Sequence, residues 1–249
     1  MVDRGEAPPA DDVALETMLR DRRFGPADPD ESTPWDFVLR WPDAVLRQRV
    51  WPLCSRLLVD GDPLVRLRAI EFARDWSDGA AITTPRLIEA AEQHPELYGD
   101  EVVEGAPLRD AMAHALANRA LWSDGTRIAA ILRKMAADRP LGGGAASVLG
   151  RHDPAFVAAQ GRRWGDGAID WLEQATRSLA LYRRDEIVGF LQALAGLSAP
   201  SRERLLAAVE SAIKRDDQQA AAVAKGQRLP APSRPAPSAA ECRQAIGLP

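Results

Sequence analysis

The tetrapeptide Trp-x-Asp-Gly occurs three times: Trp76-Ser77-Asp78-Gly79, Trp122-Ser123-Asp124-Gly125 and Trp164-Gly165-Asp166-Gly167. The tryptophans lie 46 and then 42 positions apart. A rare residue that recurs with the same tail at a period in the forties points to stacked helical units, each too small to bury its own apolar face. The motif also has a mechanical reading. The indole fills the gap where one helical pair meets the next. The glycine takes φ > 0 and reverses the chain, and the aspartate caps the helix that follows. On this reading Trp76, Trp122 and Trp164 mark seams near residues 77, 123 and 165. The alternative is a row of exposed tryptophans along one edge, a recognition surface.

A second device points to helices throughout. A polar cap followed by proline at the first helical position recurs at Thr33-Pro34, Asp62-Pro63, Thr84-Pro85 and Asp153-Pro154, and Ser198-Ala199-Pro200 is close to it. Proline loses nothing there, because that N–H would be unpaired anyway. The apolar residues between these starts keep a helical period. Val65, Ala69, Phe72, Ala73 and Trp76 share one face, and Leu108, Met112, Ala115, Leu116 and Arg119 follow a similar course. Later sets centre on Ile131, Leu172, Phe190 and Val209. A short amphipathic helix is expected over 11–23, with Val13, Leu15, Met18 and Leu19 as its apolar set. No convincing strand alternation occurs. Pro52 falls inside a helical stretch, 42–59, and is expected to kink it. Gly142-Gly143-Gly144 reads as a turn between helices.

Charge divides the chain into three parts. Residues 1–31 hold nine acids and four arginines, an acidic segment of net −5. Residues 217–249 hold four bases and two acids among Pro, Ala and Ser, and read as a flexible tail. The body between them, 32–216, is close to neutral, which argues against a broad nucleic-acid face. Arginine outnumbers lysine 29 to three, which suggests a GC-rich bacterial genome rather than phosphate binding. Two distant cysteines, Cys54 and Cys242, fit a reducing, cytoplasmic setting. The first ten residues carry no apolar leader, and no run approaches the roughly 18 apolar residues of a membrane span.

No catalytic signature is present. His94, His114 and His152 have no second His or Cys at metal-ligand spacing, so neither a metal nor a cofactor is expected. His114 lies one helical turn from Asp110 and from Asn118, a trio read as a solvated face. Basic and aromatic residues cluster at Arg162-Arg163-Trp164 and Tyr182-Arg183-Arg184, with Arg66, Arg68 and Arg74 on an earlier helix. Acids beside them suit a mixed-charge surface for a protein, so Arg68, Arg74, Arg162, Arg163, Tyr182 and Arg183 are the candidate partner-binding residues.

The run Asp62-Pro63-Leu64-Val65-Arg66-Leu67-Arg68-Ala69 resembles the second-helix signature of HEAT repeats, Asp-x-x-Val-Arg-x-x-Ala. With the proline kink before it, the resemblance spans residues 42–76. It implies an all-α fold, a right-handed α-solenoid of about five stacked antiparallel helical pairs. It also implies that Asp62 and Arg66 form a polar pair bridging neighbouring repeats. The function expected is a non-enzymatic protein-binding module, such as a bacterial regulatory adaptor or a toxin-immunity protein. The alternative is a HEAT-like alkylpurine DNA glycosylase, which needs a basic groove around a central Asp and aromatics. A HEAT-like lyase or chaperone subunit acting on a prosthetic group is a third option.

Overall fold

The computed structural model describes residues 8–21, 35–120, 125–177, 184–224 and 236–249. Helices dominate these residues, joined by turns and one small hairpin, so the fold is all-α in class. They form two compact units that part between Ser123 and Asp124. That boundary lies inside the single repeat domain expected over 32–216.

In the first unit, α1 (Asp12–Arg20) starts where the Asp11 carboxylate accepts from the Ala14 N–H at 2.8 Å. It buries Leu15, Met18 and Leu19, but Val13 of the expected apolar set is 77% exposed. Residues 43–57 then run as one bent helix. It consists of α2 (Asp43–Val45), a π-helical turn (Leu46–Val50) and α3 (Trp51–Leu57). Pro52 explains the turn. It offers no N–H and its ring presses on the preceding turn, so the ladder widens and the Trp51 N–H bonds the Leu46 carbonyl.

Asp62 caps α4 (Pro63–Asp75), accepting from the Leu64 N–H at 2.9 Å, with Pro63 at the first position as expected. The helix is buried on most sides, through Val65, Leu67, Ala69, Ile70, Phe72 and Ala73. Helix α5 (Ala80–Gln93) follows a 3-10 turn at Ser77–Gly79, so Pro85 sits inside the helix and does not start it. The 3-10 turn supplies the start instead, and the Thr84 hydroxyl donates to the Ala80 carbonyl at 2.7 Å beside the proline. Thr33-Pro34 lies outside the described residues.

A hairpin precedes α6 (Leu108–Ala120). Its strands are β1 (Val102–Val103) and β2 (Ala106–Pro107), with Val102 opposite Pro107 and Val103 opposite Ala106. Glu104 (φ 50) and Gly105 (φ 84) make a two-residue turn, both left-handed as a tight hairpin requires. No strands were expected here. Within the unit, α4 packs on α3, α5 and α6; α3 also meets α5, and α5 meets α6.

The second unit contains α7 (Gly125–Met135), α8 (Gly143–His152), α9 (Pro154–Trp164), α10 (Ile169–Thr176), α11 (Arg184–Ala193), α12 (Ala199–Ala224) and α13 (Ala239–Ala245). Gly142 is the cap of α8, so the triple glycine opens a helix instead of forming a separate turn. Asp153 caps α9 with Pro154 behind it. A Cβ on Gly150 would stand 2.3 Å from the Ala175 carbonyl oxygen, so the backbones of α8 and α10 nearly touch. Helix α8 packs on α7, α9 and α10; α10 packs on α9 and α12; α9 packs on α11.

The tail expected over 217–249 is partly structured. Residues 217–224 continue α12, and α13 has a capping box formed by Ser238 and Glu241. It buries Cys242 and Ile246 while packing on α11 and α12. Arg202 holds this segment by donating to the carbonyls of Ile246 (3.2 Å) and Gly247 (2.5 Å). Among the described residues, no helix is long and apolar enough to cross a membrane.

Candidate binding surfaces

The described copies of Trp-x-Asp-Gly are built differently. Trp76 caps the C-terminus of α4, is 4% exposed, and stacks at 5.4 Å on Phe72, which meets Trp35 at 5.1 Å. The Arg47 guanidinium lies 5.4 Å from the Trp76 ring centroid. Gly79 has an ordinary φ of −88°, not the positive value expected. Its role is steric, because a Cβ there would lie 2.3 Å from the indole. No side chain caps α5, so Asp78 does not play the expected capping part. Its carbonyl accepts from Arg47 at 2.9 Å.

At the third copy, Trp164 is half-buried and meets Trp171 edge to face at 5.0 Å. Gly165 (φ 62) reverses the chain, and Gly167 has open space where a Cβ would sit. Asp166 accepts from the Ser198 N–H at 3.3 Å, at the start of α12. The Ser201 and Ser198 hydroxyls hold its carboxyl below the usual aspartate range. Trp122 lies outside the described residues.

The face shared by α4 and α6 is rich in arginine, and each arginine has an internal partner. Arg66, 4% exposed, donates to the carbonyls of Asp60 (2.6 Å) and Gly61 (3.1 Å) and pairs with Glu101 at 3.3 Å. Arg68, 3% exposed, pairs with Glu104 at 2.9 Å, and Arg109 with Asp100 at 3.0 Å. The hairpin segment is thus tied over α4 and α6 by three carboxylates, and Arg66 reaches the α5–α6 connection through Glu101. Arg74 holds Asp75 with two bonds, at 2.6 and 2.8 Å.

Arg119 serves a purpose the sequence reading did not give it. It donates to the carbonyls of Ala73 (2.5 Å), Arg74 (2.9 Å) and Trp76 (3.2 Å), closing the C-terminus of α4 where a cation suits the helix dipole. On the same face, burial raises the Glu71 carboxyl above the usual glutamate range, against the pull of Arg74 and Arg68. Burial also raises Asp110, with Asp100 adding to the effect. Burial lowers His114, helped by Arg74.

In the second unit, α9 and α11 leave a cleft of about 350 Å³ between them. Pro154, Ala155 and Ala158 form one wall, and Gly189, Phe190 and Ala193 form the other. These positions repeat at helical spacing, so each wall is one stripe of small side chains with Phe190 as its largest member. Arg162 and Glu186 supply the polar lining. Glu186 is engaged within the chain. Arg162 is exposed, and among the described residues it forms no hydrogen bond or ion pair.

Of the six candidate partner-binding residues, Arg68 and Arg74 are therefore tied into the first unit. Arg162 borders the cleft. Arg163 is exposed and donates to the Ala137 carbonyl at 2.9 Å. Tyr182 and Arg183 lie outside the described residues, and the adjacent Arg184 pairs with Glu241. Gly189 and Phe190 went unnoticed as site residues. Their only signal in the sequence was a glycine inside an amphipathic helix.

Among the described residues, no group of three or more His, Cys, Asp or Glu is placed to hold a metal ion. Comparison with protein families, curated proteins and solved structures gives no match.

Proposed function

We propose that this chain is a non-enzymatic helical-repeat module, a HEAT-like α-solenoid, that binds another protein or peptide. Neighbour relations inside each unit support the repeat. In the first unit α3 meets α5 while α4 meets α6. In the second, α9 meets α11 while α8, α10 and α12 pack in succession. Contacts between helices two apart in the chain support a stack of helical pairs, and such stacks present long surfaces suited to peptides.

The observation that carries the binding role is the α9–α11 cleft. It is apolar and recessed, and it carries a guanidinium with no partner among the described residues. An apolar recess beside a few placed polar groups is the usual form of a binding pocket. Arg66, Arg68, Arg74 and Arg119 favour a protein over a nucleic acid, because each answers a carboxylate or carbonyl of its own chain and leaves little field for phosphates.

The test compares the native chain with Gly189→Leu, which puts a side chain into the cleft from a position where a Cβ meets nothing within 4 Å. A binding partner captured by the native chain and lost by the variant, with circular dichroism unchanged, is the expected result. Salt-sensitive DNA binding with base release would overturn the reading in favour of a glycosylase.

A further inference from the structure

The cleft also carries chemical information about its occupant. We infer, resting on the protein-binding reading above, that it takes a peptide segment in which an aromatic or branched aliphatic residue stands next to Asp or Glu. The apolar side chain enters between α9 and α11, and the carboxylate meets Arg162.

Gly189 carries the first part of the argument. Glycine inside a helix costs stability and needs a reason. The other close glycines of this unit have one: Gly150 lies against the Ala175 backbone, and a Cβ on Gly161 would stand 2.5 Å from Leu172. A Cβ on Gly189 would meet nothing within 4 Å. The fold therefore does not require glycine there, whereas an open cleft does. With Ala155, Ala158 and Ala193 around it, the absent side chain leaves room for one supplied from outside. A volume of about 350 Å³ suits one large apolar side chain and the backbone beside it.

Arg162 carries the second part. Arg163, next in the chain, donates to the Ala137 carbonyl, and Arg133 pairs with Asp153 at the other end of α9. Glu186, on the facing helix, is already engaged. Arg162 is thus a cation without an answering charge among the described residues, at the edge of an apolar recess where a carboxylate would be partly desolvated and a two-bond pair strengthened.

The test is titration of the ¹⁵N-labelled full chain with acetyl-Ser-Gly-Asp-Phe-Gly-Ser-amide. Expected are shifts of the backbone amides of 155–162 and 186–193. The Asn-Phe and Asp-Ala versions of the peptide are each expected to bind about tenfold more weakly, since each lacks one of the two contacts. Arg162→Gln should reduce the Asp-Phe peptide to the level of the Asn-Phe one, with Arg162→Lys partly restoring it. Gly189→Leu should abolish binding, and Gly189→Ala should weaken it with the fold intact.

Equal binding of the Asp-Phe and Asn-Phe peptides overturns the proposal. So do shifts centred elsewhere, 3-phenylpropionate binding as tightly as the peptide, or a dimer dissolved by Gly189→Leu. If the peptide fails while a captured partner is still lost in Gly189→Leu, this inference falls and the protein-binding reading stands. If the Asp-Phe peptide binds as described and no partner is captured, the cleft's preference stands and the function narrows to binding peptides.

Discussion

At Gly79 a methyl group has nowhere to go, because the Trp76 indole already occupies that space. Gly79→Ala should therefore cost about 1–3 kcal/mol in urea unfolding. Trp76→Ala should cost about 3–5 kcal/mol, the usual toll for emptying a buried aromatic site. The two losses should not add, since removing the indole makes room for the methyl group. Gly167→Ala, at the same motif position, should be near neutral, whereas Gly165→Ala should cost about 1–3 kcal/mol because its backbone conformation suits glycine alone. Glu71 gives a test by pH. Its folded-state pKa is raised, so the native state binds the proton more tightly than the unfolded chain does. Stability from this group is present below the usual glutamate value and is lost as pH rises through the folded value. Glu71→Gln should then raise the unfolding midpoint at pH 7 and change it little at pH 4. The sequence marked Trp76 as a seam but misread its glycine. Backbone angles and a ring lying over a Cα are tertiary facts that a tetrapeptide does not encode.

The helices were readable where local chemistry sets them. Asp62-Pro63 and Asp153-Pro154 supply their own caps, and the periodic faces around Phe72, Met112 and Phe190 are buried as expected. Thr84-Pro85 has the same local form, but the 3-10 turn at Ser77–Gly79 starts the helix first. The hairpin escaped notice because two-residue strands show no alternation. Glu104-Gly105 was its sole signal. Of the candidate site, Arg162 was named, whereas the cleft was not, since a gap belongs to two helices at once. The hairpin also offers a measurement. Glu104 is half-exposed and its partner Arg68 is buried. Glu104→Gln should leave a buried guanidinium poorly answered and cost about 1–2 kcal/mol, below the figure for a fully buried pair. Adding Arg68→Met should recover part of that loss in the same thermal-unfolding assay.

On the scale of the whole molecule, each unit carries its own core. Differential scanning calorimetry should resolve two transitions, one for each compact unit. Trp76→Ala should lower one by several degrees. Gly150→Ala, which forces α8 from α10, should lower the other and leave the first in place. The π-helical turn at Leu46–Val50 has a different consequence, concerning which lengths of chain this core can accept. Removing one residue there would restore an ordinary helical ladder. It would leave the residues downstream facing as they do now, because the wide turn already takes up the extra position. A deletion in α2, ahead of it, would instead turn everything downstream by about 100°. Trp51, Leu53, Cys54 and Leu57 would then swing away from the interior together. The surplus residue is thus slack held in reserve: the core can accept a segment shorter by one within Leu46–Val50 and nowhere else along this helix.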